Sequence, residues 1–168
     1  DILLLFDTTG SMSAALDTSV ERIQAIKDRL DEDIDDAAFG VAEVRDYDAL
    51  DLGDSGDVPF NVVEPVTTDI TAVEEALNSL EATGGGDNPE AYGRALSASI
   101  NGDQVGWRDG SRRTIIVVAD DIPHDDHLNE GIPAHLQLPD DSFDENPDPG
   151  PDHEFHTDDD VDWQTTLD

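Results

Sequence analysis

The chain has 168 residues, the size of one domain, and sets 42 acidic residues against 8 basic ones for a formal net charge of −34. That balance excludes a generic basic surface for nucleic acid or anionic lipid, and no apolar run is long enough to cross a membrane. Cysteine is absent, which removes disulfides, thiolate metal sites and thiol catalysis.

The apolar residues are gathered into periodic segments, so the acidity reads as the surface of a folded core rather than as disorder. Lys27 is the only lysine, and Asp far outnumbers Glu. Such a surface repels itself at low salt and is screened at molar salt, where the Debye length is about 3 Å. The composition resembles that of salt-in halophilic archaea.

Residues 1–7 (DILLLFD) form an apolar run ending in an acid, which predicts a strand buried on both faces. A chain that opens on a core strand reads as a piece of something longer. Residues 8–13 are a small polar turn. Over 14–30, Leu16, Val20, Ile23, Ile26 and Leu30 recur at helical spacing, and the acids at 31–36 are expected to close that helix. Residues 37–44 (AAFGVAEV) predict a second strand, and 45–57 an Asp- and Gly-rich loop. A third strand is expected over 58–66, with Pro59 placing it at an edge. Asp69 then caps a helix running to Leu80. The segment TGGGDNP (83–89) suits only a loop, and Pro89 is well placed for the first turn of a helix over 90–100. Residues 113–120 (RTIIVVAD) make the strongest strand. Residues 122–160 carry six of the nine prolines and no period, which predicts a long acidic loop. A helix is expected to begin near Val161.

Strands alternating with helices imply an α/β fold of the doubly wound, Rossmann-like kind, with a mostly parallel sheet covered by helices on both faces in a single domain. Ligands in such sheets bind at the carboxyl ends of the strands. Two strands end there in an acid, Asp7 and Asp120, and Asp7, Thr9 and Ser11 alternate through the turn. The loop 83–90 adds a further hydroxyl or carboxylate. Carboxylates, hydroxyls and water make the oxygen shell that suits Mg²⁺ and, with more ligands, Ca²⁺.

DTTGSM after an apolar strand resembles the metal-ion-dependent adhesion site of von Willebrand factor type A domains; GGGDNPEA and VVADDIPHD resemble that family's second and third motifs, in the same order. The resemblance covers essentially the whole chain. It implies a site for Mg²⁺ (or Ca²⁺ or Mn²⁺) formed by Asp7, Thr9, Ser11, Glu90 and Asp120. It also implies adhesion-type binding of a protein or glycan partner through a carboxylate, without catalysis. Within the family the likeness is to the I-like domain of integrin β subunits. That likeness implies a neighbouring Ca²⁺ site using Asp87, the carbonyl of Pro89 and Asp46 or Asp48, a partner-binding segment within 122–160 that includes LPDD (138–141), and a cell-surface location. Ala14 and Ala15 replace the acids of an adjacent inhibitory site, Gly85 stands where the neighbouring site uses Asn, and the chain stops before the family's last strands and final helix.

Two other readings stay open. DTTGS also resembles the phosphorylated motif of haloacid-dehalogenase-type phosphohydrolases, with Asp7 as nucleophile and Asp120 and Asp121 as Mg²⁺ acids, although Thr9 stands where that chemistry wants an acid or a lysine. Some von Willebrand type A domains are instead intracellular scaffolds of chelatase or ATPase assemblies. Of the five histidines, His124, His127, His153 and His156 are expected at the surface, and Trp107 and Trp163 as anchors of core or loop.

Overall fold

The computed structural model describes residues 1–129, 132–137 and 147–167, with residue 31 described by its backbone alone. Four strands form one sheet in the order β3-β2-β1-β4. They are β1 (Ile2–Asp7), β2 (Phe39–Val44), β3 (Asn61–Thr67) and β4 (Thr114–Val118). β1 pairs in parallel with β2 and with β4, whereas β2 and β3 are antiparallel. This is the mostly parallel α/β sheet that the alternating pattern predicts.

Strand β1 sits in the middle because every one of its residues can be buried. Ile2, Leu4 and Phe6 enter one core with Leu16, Val20 and Ile23 of α1 (Leu16–Asp33) and Val73 and Leu77 of α2 (Ile70–Asn78). Leu3 and Leu5 enter the other, with Tyr47, Leu52 and Leu96 of α3 (Tyr92–Asn101); Trp107 and Trp163, the latter on α4 (Trp163–Leu167), pack at its margin. The period-2 alternation of a strand thus feeds two helical layers. At roughly 1.5–3 kcal/mol for each fully buried large apolar side chain, the two cores dominate folding.

Several boundaries differ from expectation, each for a local reason. Residues Gly10–Ala14 form a 3-10 turn, and α1 then runs through the acids to Asp33, where Arg29 pairs with Glu32 at 3.4 Å and Asp33 at 3.1 Å. The buried stripe of α1 is 16, 20, 23 and 27, with Leu30 half-buried beyond it, so Ile26 is exposed and Lys27 takes the seam. Lys27 is 1% exposed, and its ammonium lies 2.9 Å from Glu74 on α2 and 2.9 Å from Asp28. Strand β3 begins at Asn61, beyond Pro59, and lies at the sheet edge as expected. Its ladder tolerates Pro65 there, because an edge strand leaves half its amides unpaired. Asp69 caps α2 by accepting from the amides of Thr71 (3.0 Å) and Ala72 (3.3 Å).

Helix α3 starts at Tyr92, two residues later than expected, and Pro89 lies outside its first turn. The cause is a bridge between Glu90 and Pro123: the Glu90 amide donates to the Ile122 carbonyl (2.9 Å), and the His124 amide to the Glu90 carbonyl (3.1 Å). The segment 122–160 holds no long element among the described residues, yet it is tied down. Asp148 bridges to Val161, residues Gly150–Asp152 make a 3-10 turn, and Asp125 caps α4 by accepting from the Trp163 amide at 2.9 Å. LPDD (138–141) lies outside the described residues.

Candidate functional site

The sheet delivers Asp7 at the carboxyl end of its central strand, fully buried. Its Oδ1 accepts from the Thr9 amide (2.8 Å) and the Thr9 hydroxyl (2.6 Å), while Oδ2 accepts from the Tyr92 hydroxyl. Thr9 Oγ1 lies 3.2 Å from Ser11 Oγ, and the Ser11 hydroxyl donates to Asp120 Oδ1 at 3.0 Å. Asp7, Thr9, Ser11 and Asp120 therefore form one continuous row of oxygens. It runs from the buried Asp7 and Thr9 to the exposed Ser11 and Asp120.

Glu90 reaches the same place from the other side. It is only 3% exposed, and its Oε2 is buried with no hydrogen-bond partner. Burial first, then the negative charges of Asp7 and Asp46, push its carboxyl up to about 9; the Thr9 hydroxyl and His124 pull the other way. A metal-free Glu90 is thus a neutral acid at pH 7, held there by desolvation.

The loop preceding Glu90 is placed by glycines. The Thr83 amide donates to the Thr8 carbonyl (2.9 Å) and the Gly10 amide to the Gly84 carbonyl (3.0 Å), which lays the loop against the Asp7 turn. Gly84 and Gly85 have φ of 76° and 78°. A side chain on Gly84 would run into the Asp57 carboxylate, which accepts from the Gly85 amide at 2.8 Å. At Gly85 a Cβ would come 3.1 Å from Thr9 Cβ and 3.4 Å from Glu90 Oε1. Gly84→Ala is expected to cost roughly 1–3 kcal/mol, from the left-handed backbone and the Asp57 collision together. Denaturant titration checks this, and an unchanged midpoint would show that the loop is not held as described.

The second group of residues assembles differently from expectation. Asp46 and Asp87 do come together, but Asp48 is exposed and stands outside their group, and Pro89 is buried beside Glu90 in the chain. The third member is His124. It is wholly buried rather than at the surface, with Nε2 2.9 Å from Asp46 Oδ2. Periodicity gave no hint of this, because His124 lies in an aperiodic segment and is drawn in by the backbone bridge at Glu90. His127 is exposed as expected and pairs with the adjacent Asp126, and His156 is exposed; His153 packs edge-on against Tyr47 with ring centroids 5.0 Å apart. Tyr92, the buried donor to Asp7, was missed as well. Its only sequence signal is its place two residues after Glu90, at the start of the helix.

A family model described as the von Willebrand factor A domain matches residues 1–139. The chain belongs to the von Willebrand factor A domain family. The crystal structure of the SpRpn10 VWA domain is similar in fold, with 16% identity and a TM-score of 0.51 over 74% of this chain. The chain spans 62% of that one. A search of curated proteins finds no match.

The phosphohydrolase reading would want a lysine near the phosphate, and the one lysine, Lys27, is committed to the α1–α2 seam through Glu74. A scaffold or protein-interaction role is what the family implies.

Proposed function

We propose that this domain binds a partner through a divalent cation held by Asp7, Thr9, Ser11, Glu90 and Asp120. One observation carries the reading. Two carboxylates and two hydroxyls stand in one row, Asp7–Thr9–Ser11–Asp120, with Thr9 Oγ1 and Ser11 Oγ 3.2 Å apart, beside a buried carboxyl oxygen of Glu90 that has no hydrogen-bond partner. Such a cluster of oxygens suits a cation, and its all-oxygen chemistry fits Mg²⁺, or Ca²⁺ or Mn²⁺. The bound ion would supply a positive centre for a carboxylate on a protein or glycan partner. Because Ser11 and Asp120 are the exposed end of the row, a partner meets the site there. Residues 122–124, bridged to Glu90, lie beside it, and the segment they open is the natural source of selectivity.

On this reading the domain works without catalysis, in the manner of the integrin β I-like domains that its DNPE segment resembles. It belongs at the cell surface of an organism living in high salt, where its charge of −34 is screened. A metal-independent scaffold is the alternative within the same family.

The test is calorimetric titration of Mg²⁺, Ca²⁺ and Mn²⁺ into EDTA-stripped protein in molar KCl, beside Asp7→Ala and Asp120→Ala. Saturable binding lost in both variants is the expected result. Asp120 is exposed, so its variant keeps the test meaningful should loss of the buried Asp7 disturb folding. Absent binding, or binding that survives in Asp120→Ala, favours the scaffold and ends the adhesion reading.

A further inference from the structure

We propose that Asp46, Asp87 and His124 form a second cation site, separate from the Asp7 row, that takes a borderline transition-metal ion of the Zn²⁺ or Co²⁺ kind. Each residue offers a ligand atom, and these atoms all lie within 4.8 Å of one another, the spread expected of groups around one small cation. They come from three separate segments: the end of β2, the glycine loop and the turn after β4. Asp46 and His124 are both fully buried, and Asp87 closes the group from its exposed side.

The backbone of each ligand is fixed without any ion. The His124 amide donates to the Glu90 carbonyl (3.1 Å), and the Asp87 amide to the Leu52 carbonyl (3.0 Å). Asp46 Oδ1 accepts from the Tyr47 amide at 2.7 Å, which leaves Oδ2 turned to His124. Ligands held this way lose little freedom on binding an ion. The neighbouring Glu90, with its unpartnered Oε2, is close enough that Asp46 and His124 both act on its charge.

The donor set decides the ion. Mg²⁺ and Ca²⁺ take oxygen, whereas one imidazole nitrogen with two carboxylates suits Zn²⁺, Co²⁺ or Mn²⁺, with Zn²⁺ favoured among these by affinity. The neighbouring triad Asp125, Asp126 and His127 is a poorer candidate. Asp125 is spent on the amides of His127 (2.6 Å) and Trp163 (2.9 Å), and His127 is 55% exposed. The competing account of His124 is a buried hydrogen bond to Asp46 that only ties the turn down.

Zn²⁺ and Co²⁺ are titrated into the EDTA-stripped chain in molar KCl with Mg²⁺ in excess, which occupies the Asp7 row if that row binds at all. One equivalent of Zn²⁺ is expected, with affinity reduced at least ~10-fold in His124→Gln and in Asp87→Asn, since even residues supporting a ligand cost that much. His127→Gln and Asp120→Ala are expected to bind as the parent does. X-ray absorption at the zinc edge of the unsubstituted protein reads the imidazole directly, so the result does not hang on a variant that misfolds. No saturable Zn²⁺ binding, no imidazole scattering, or binding abolished by His127→Gln instead would each overturn the second site. Because Asp120→Ala removes only the first site, failure of one assignment is visible separately from failure of the other.

Discussion

Glu90→Gln is expected to flatten the pH dependence of stability of the metal-free protein. In the folded chain the Glu90 carboxyl titrates at about 9, against an ordinary value of 4.5. Between those limits the folded state holds a proton that the unfolded chain has already released. Unfolding free energy therefore falls as pH rises through that window, by on the order of 1 kcal/mol per pH unit at most. The contribution is complete below the unfolded value and lost above the folded one. Asp121 and Asp148 are shifted in the same direction by burial, and the general repulsion of the acidic surface also grows with pH, but both are common to parent and variant. The difference between the two slopes isolates Glu90.

Denaturant midpoints at pH 5, 6, 7 and 8 in EDTA and molar KCl measure it, and parallel slopes would show that Glu90 is ionised in the folded chain. Added Mg²⁺ should reverse the trend in the parent alone. An ion at Glu90 must displace the proton, so binding near pH 7 is expected to release close to one proton per ion. Calorimetry in buffers of different ionisation heat reads that number directly, and Glu90→Gln should release none.

The sheet was legible because β1 is a run that only a buried strand accommodates, because the β-branched run of β4 favours a strand even at the half-exposed sheet edge, and because Asp69 is a strong cap. The phase of α1 was less so. Ile26 looks like the core residue and Lys27 like the surface one, yet the helix turns Lys27 inward, since Glu74 on the next helix can meet its ammonium there. Pairing across a seam is tertiary information, and no single-helix pattern contains it. The start of α3 failed for the same reason, as a backbone bridge from residues 122–124 claims Glu90 before the helix can.

Asp7, Thr9, Ser11, Glu90 and Asp120 were named from spacing at strand ends and from motif resemblance, and the fold gathers all five at one edge. His124 and Tyr92 were not named. Both act through positions fixed by that same bridge: His124 reaches Asp46, and Tyr92 reaches Asp7 from the first turn of α3. Asp46 and Asp48 were equal alternatives in the loop after β2, but Asp46, two residues past the strand end, is buried, whereas Asp48, four past it, is exposed.

Asp148→Ala is expected to cost about 3–5 kcal/mol, among the largest single losses outside the hydrophobic cores. Composition placed Asp148 in a solvated acidic loop, whereas it is fully buried. Its carboxylate accepts from the Tyr47 hydroxyl, the Arg94 amide at 2.9 Å and the Gly150 amide at 3.2 Å. Alanine strands three donors at once, and each unmet buried donor costs about 1–3 kcal/mol. The chain has a way to limit the damage. Residues 147–161 are held over α3 by this carboxylate, by His153 against Tyr47 and by Phe155 at the margin of the second core, and as a peripheral segment they can detach while the sheet stays folded. Detachment would wet Tyr47, and hydrogen exchange would show it as lost protection at the Arg94 and Val161 amides with the β1 amides unchanged. Asp148→Asn keeps the shape and one acceptor oxygen, so its loss should be clearly smaller. A cost within 0.5 kcal/mol of the parent for Asp148→Ala, the range of ordinary surface substitutions, would show instead that the segment is held by its apolar contacts and that the buried acid is incidental.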